Sequence, residues 1–109
     1  MAYDLKLAAR VSALLANISN LTEKKMFGGV GYLVNGNMAC GVHKEYLIVR
    51  VGSERYQAAL EAPHTKIFDI TGRPMTGWVM VAPEGCVIED GLKLWVMKGA
   101  DYALTLPPK

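Results

Sequence analysis

The chain has 109 residues, of which 51% are hydrophobic and 20% charged, and it carries a formal net charge of +2. A chain of this length forms one domain, here residues 1–109, able to bury roughly two-thirds of the surface its unfolded form exposes, and it is too apolar to be disordered. So small a charge, on basic residues scattered along the chain, does not announce a polyanionic partner. Apolar runs such as Tyr46 to Val49 and Trp78 to Ala82 fall far short of the roughly 20 residues a bilayer crossing needs. The opening Met1-Ala2-Tyr3-Asp4-Leu5-Lys6 lacks the basic, apolar and small-residue parts of a secretory signal. A cytoplasmic protein without membrane segments is the expectation.

From Asp4 to Ile18, apolar residues recur at Leu7, Val11, Leu14, Leu15 and Ile18, while Lys6, Arg10 and Asn17 share the other face, which is the pattern of an amphipathic helix. Gly29 to Val34 and Asn37 to His43 flank Asn35-Gly36, a pair suited to the positive φ angles of a type I′ turn, so they read as a β-hairpin. In the second strand Met38, Cys40 and Val42 alternate with Ala39, Gly41 and His43, and the first set is expected to meet the core. Lys44-Glu45 reverses the chain into a third strand, Tyr46 to Val51. Gly52 ends it; Ser53 is placed to cap a short helix, Glu54 to Leu60, whose Tyr56, Ala59 and Leu60 face the sheet before Pro63 stops it. Ile67 to Ile70 and Trp78 to Ala82 read as two further strands separated by the turn formers Thr71-Gly72-Arg73-Pro74, paired directly or through a wider connection. Glu89 and Asp90 open a last helix carrying Leu92, Trp95, Val96, Gly99 and Ala103, and Pro107 ends it. The order α-β-β-β-α-β-β-α predicts a two-layer α+β domain, helices packed on one face of an antiparallel sheet, its other face polar or covered by a partner.

The residues assemble no recognised catalytic constellation. Met26-Phe27-Gly28-Gly29-Val30-Gly31 superficially resembles a phosphate cradle, but Val34 stands where a further glycine would be needed and the run leads into a strand, so it reads as a bend or bulge. His43 and His64 lack metal-ligand spacing, and no metal or cofactor is expected. Cys40 and Cys86 are far apart and read as reduced, small apolar residues; Cys40 and His43 fall on opposite faces of one strand, which disfavours a local dyad. Trp78 and Trp95 are in phase with apolar neighbours and are assigned to the core rather than to base stacking. Asp69 and Arg73 flank a turn and either pair with each other or, with Lys25 and Arg50, form a polar ligand site near the glycine-rich bend.

The runs Thr22-Glu23-Lys24-Lys25-Met26-Phe27-Gly28-Gly29, Val34-Asn35-Gly36-Asn37-Met38, Phe68-Asp69-Ile70-Thr71-Gly72-Arg73-Pro74-Met75 and Tyr102-Ala103-Leu104-Thr105-Leu106-Pro107-Pro108-Lys109 together resemble the TfoX/Sxy N-terminal domain family, over essentially the full length. The most specific positions are Met26, Phe27, Gly28, Gly29, Gly72 and Pro74. The resemblance implies a secretion-chaperone-like two-layer fold, often dimeric, in a family whose namesakes are bacterial regulators of natural competence that carry a second domain after this one. It brings no established catalytic or cofactor residue. The function expected first is therefore a non-enzymatic, regulatory protein–protein interaction module, acting as a homodimer or with a protein partner. The alternatives are a small-ligand binder or unrecognised enzyme using Lys25, Arg50, Asp69 and Arg73, and weak nucleic-acid association through Lys6, Arg10, Lys24 and Lys25.

Overall fold

The computed structural model describes residues 3–26, 28–69 and 72–109. Helix α1 (Leu5–Leu15) starts where the Asp4 carboxylate accepts from the backbone N–H groups of Lys6 and Leu7, and it buries Leu7, Ala8, Val11 and Leu15. Four strands follow: β1 (Leu21–Met26), β2 (Gly29–Val34), β3 (Asn37–His43) and β4 (Tyr46–Arg50). A short helix α2 (Tyr56–Leu60), two strands β5 (Thr65–Ile67) and β6 (Trp78–Val81), a 3-10 turn (Pro83–Gly85) and the long helix α3 (Glu89–Leu104) complete the order. Among the described residues the strands form one six-stranded antiparallel sheet in the order β1-β2-β3-β4-β6-β5. No helix among them is long and apolar enough to cross a membrane.

The expected α+β layering and the sequence of helices and strands hold, with one strand more. Strand β1 is an edge strand whose Thr22, Glu23, Lys24 and Lys25 are all exposed; its charges guard a free edge against pairing and also hide the strand from a hydrophobic-pattern reading. Met26 pairs with Gly29, so the glycine-rich bend is the tight connection of a β1–β2 hairpin, with Gly28 at φ 74°. Phe27 lies outside the described residues, as do Ile70 and Thr71. Asn35 and Gly36 take φ 53° and 82°, as a type I′ turn requires. Some boundaries also move. The fifth strand covers Thr65–Ile67 rather than Ile67 to Ile70, because Phe68 turns into an apolar cluster with Ile48 and Met80. Helix α2 begins at Tyr56, and its first turn has no side-chain cap, so Ser53 does not cap it. Tyr56, Ala59 and Leu60 pack on the core as expected.

The main core lies between the sheet and the layer of α1 and α3. Val11, Leu15, Leu92 and Val96 from the helices meet Tyr32, Cys40, Val42, Leu47, Val49, Val79 and Val81 from the strands, each side chain stabilising the fold by roughly 2 kcal/mol of burial. Tyr32 reaches through this layer: its hydroxyl donates to the Ala8 carbonyl at 3.0 Å and accepts from the Ser12 hydroxyl at 3.2 Å.

One irregularity sets the rest of the geometry. Tyr32 pairs with Cys40 and Leu33 with Met38, so Ala39 is an extra residue bulged from β3. The bulge breaks the simple alternation. Ala39 packs with Val34 and Ala103 beneath α3, and Cys40 and Val42 enter the main core, while Met38 lies across Gly31 and Gly41 on the opposite face. The expectation that Met38 shares the core face with Cys40 and Val42 is thereby corrected. Helix α3 rests directly on the bulge: a Cβ at Gly99 would overlap the Ala39 carbonyl.

Gly99→Ala should therefore destabilise the domain by about 2 kcal/mol, since steric overlap outweighs alanine's better helix propensity of about 1 kcal/mol. Gly91→Ala in the same helix, where a Cβ would meet only the Gly85 carbonyl at 3.6 Å, should be neutral or gain up to about 1 kcal/mol. Urea unfolding midpoints of the two variants check this; equal midpoints would mean that α3 does not sit on the bulge.

Candidate functional site: an open cleft on the far face of the sheet

Strand alternation decides what the sheet shows on the face that α1 and α3 leave uncovered. On β2, Val30, Tyr32 and Val34 point to the helices, so Gly29, Gly31 and Leu33 belong to the other face. Beyond the bulge, Gly41 and His43 of β3 join them, followed by Ile48 and Arg50 of β4 and Trp78 and Met80 of β6, whose register pairs Ile48 with Met80 and Arg50 with Trp78. Glycines thus pave the centre, and bulkier residues stand at the sides. The result is a cleft of about 540 Å3, within the usual size of binding pockets.

Its floor is Gly29 and Gly41, with Met26, Met38 and Leu33 around it and Ile48 beside it, and the Met26 and Met38 side chains lie over Gly31. The opposite wall is Phe68, Met75 and Trp78, supplied by β6 and the 68–77 connection. Phe68 and Trp78 rings lie 5.9 Å apart at 35°, and Phe68 is only 9% exposed. Trp78 thus belongs to this satellite cluster rather than to the main core, whereas Trp95 does pack against the main core. The connection closes on itself through Met75 N–H to the Phe68 carbonyl and Trp78 N–H to the Met75 carbonyl, both 3.1 Å.

Polar groups are few. Arg50 lines the cleft, its guanidinium carbon 5.3 Å from the Trp78 ring centre and 5.4 Å from that of Tyr102, a cation held by two aromatic faces. Among the described residues the one side-chain ion pair is Arg10–Glu89, at 3.0 Å, so Arg50 has no carboxylate partner. His43 and Lys109 also line it, and His43 Nδ1 is buried without a hydrogen-bond partner among the described residues. Lys109 is brought there by the chain end, whose backbone N–H donates to the Asn35 carbonyl at 2.8 Å while Asn37 Nδ2 donates to the Pro107 carbonyl at 2.9 Å. Every ionisable side chain that lines the cleft is basic.

Of the residues singled out from the sequence for a polar ligand site, only Arg50 reaches the cleft. Lys25 pairs with Val30 and so shares its helix-side face at the exposed sheet edge. Asp69 and Arg73 are exposed on the 68–77 connection, and they do not pair with each other. Gly72, at φ 91°, and Pro74 shape that connection. Of the basic residues considered for nucleic acid, Arg10 is held by Glu89, and Lys24 and Lys25 leave β1 on opposite faces. The cleft residues Leu33, Met38, Ile48, Phe68, Met75 and Trp78 carry no chemical motif. Their one sequence signal is the second phase of the strand alternation, Ile48 with Arg50 and Trp78 with Met80, together with glycine at alternate positions 29 and 31.

Neither cysteine is set up as a nucleophile. Both are free and buried; desolvation pushes the Cys40 thiol from 9.0 up to about 12 and the Cys86 thiol, opposed by nearby Arg10, up to about 11. Among the described residues no group of three or more His, Cys, Asp or Glu side chains is placed to hold a metal ion.

A model of the TfoX N-terminal domain matches residues 13–103, which span every strand and almost all of α3. No curated protein and no solved structure matches the chain.

Two measurements follow from this geometry. A Cβ at Gly31 would meet only the flexible ends of Met26 and Met38, at 3.1 to 3.4 Å, whereas one at Gly41 would meet the Val30 carbonyl oxygen at 2.6 Å. Gly31→Ala should therefore change stability by no more than about 0.5 kcal/mol, and Gly41→Ala should cost about 2 kcal/mol; the reverse order in urea titrations would contradict the described floor. The raised Cys40 thiol contributes stability that is complete below pH 9.0 and is lost as pH rises from 9.0 toward 12, because the unfolded chain releases the proton first. The Cys40 share of that loss, at most about 1.4 kcal/mol per pH unit, should vanish in Cys40→Ala, giving a flatter alkaline limb; an unchanged limb would refute the assignment.

Proposed function

The chain belongs to the TfoX N-terminal domain family, and from that premise we propose that it is a regulatory module that works by binding a protein partner and catalyses no reaction. The family association is with competence or regulation, and a role alongside bacterial competence or transcription regulators is part of this reading. The observation that carries it is the uncovered face of the sheet. Met26, Met38 and Met75 stand around a glycine floor with Leu33, Ile48 and Phe68; methionine's unbranched, polarisable side chain adapts to varied apolar surfaces, which suits a contact face. The thiols are held protonated in the interior, and Arg50 and Lys109 at the cleft are cations suited to holding a partner in register.

Such a face should be occupied in the cell. A photo-crosslinking amino acid placed at position 38 is expected to trap a discrete protein adduct in the cells that express the chain, and the same group at Ala9, on the exposed side of α1, should trap none. Equal, diffuse labelling at the two positions would count against a dedicated interaction face.

A further inference from the structure

The charge of the cleft narrows what kind of segment fills it, on the premise that the cleft is the binding face. Among the described residues Arg50 is a half-buried cation that enters no ion pair, flanked by aromatic rings at 5.3 and 5.4 Å. Register places its charge at one end. Arg50 pairs with Trp78 at the far end of β4, and Lys109 packs beside Gly36 in the β2–β3 turn, which lies at that same end of the sheet. His43, Met26 and Gly29 lie at the opposite end, beside the β3–β4 turn. The cleft is therefore polarised, with Arg50 and Lys109 at one end and an apolar trough along the strands. We infer that its occupant is an acidic protein segment, whose bulky apolar side chains lie against Met26, Met38 and Phe68 and whose carboxylates meet Arg50 and Lys109.

Three physical points support that chemistry. A guanidinium stacked on rings keeps its in-plane donors free for a carboxylate, and such a charge-assisted pair in a half-desolvated setting is stronger than one in open water. The space that Gly31 and Gly41 leave is filled by the flexible ends of Met26 and Met38, which gives the trough an adaptable apolar lining. The exposed charges of β1 and the three-residue length of β5 oppose strand addition at the two edges of the sheet, which favours the face, rather than an edge, as the route of attachment.

The test uses the full chain and short fluorescein-labelled peptides with bulky apolar residues at helical spacing, in an all-glutamate and an all-lysine version. Fluorescence anisotropy should show saturable binding of the glutamate peptide and binding of the lysine peptide weaker by at least about tenfold. Arg50→Gln should reduce that preference, and Lys109→Gln, which leaves the Arg50 stack intact, should reduce it in the same direction. Met38→Asp should abolish binding of the glutamate peptide. If both peptides bind equally and Met38→Asp abolishes both, the acidic partner is overturned while the interaction face stands. If the glutamate peptide binds just as well to Met38→Asp, both fall. If it fails to bind while an alkyl carboxylate such as dodecanoate binds in an Arg50-dependent way, the site takes a small amphipathic anion and the inference is overturned.

Discussion

The contact between Gly99 of α3 and the Ala39 carbonyl of β3 fixes the rest of the domain. A helix can lie this close to a strand only where it presents no side chain, and a strand can present its backbone to a helix only where its pleat is interrupted. The Ala39 bulge supplies the interruption and Gly99 the gap. Because side chains alternate along a strand, one extra residue exchanges the faces of everything on one side of it. Cys40 and Val42 stay in the core, and Met38 crosses to the far side.

That exchange ties the fold to its candidate site. Without the bulge, Met38 would belong to the helix-side layer and the far face would lose its central apolar residue. With it, Met38 lies over Gly31 and Gly41 and shares the cleft with Met26 and Met75. The same packing that seats α3 on one side thus shapes the trough on the other, and the two faces of the sheet are mechanically one object. Substitutions that disturb the α3 seat would be felt in the cleft even though none of their atoms reaches it.

The sequence made the two layers and most elements legible because their signals are local. Helical spacing in α1 and α3 and the Asn35-Gly36 turn are each written within a few residues. Strand β1 was not legible: its four central residues are polar, and only its pairing with β2 makes it a strand. The position of Phe68 was also hidden, since what turns it inward is Ile48 and Met80, distant in sequence. The glycine-rich bend was rightly read as backbone geometry, a hairpin connection followed by Gly29 packed against the Val42 carbonyl. Of the candidate ligand residues only Arg50 reaches the cleft, for a simple reason: charged residues near turns are the conspicuous local signal, whereas the face is built from methionine, glycine and aromatic residues whose role depends on strand phase. A bulge that reverses phase leaves no mark in a single sequence beyond an alanine in a strand.

The placement of Met38 is the claim on which both the fold account and the proposed binding face depend, and methyl NOE spectroscopy reads it directly. The Met38 methyl should show cross-peaks to the Met26 methyl and to the Hα protons of Gly31 and Gly41. Cross-peaks instead to Val96, Ala100 or Ala103 of α3 would put Met38 on the helix side and contradict the account.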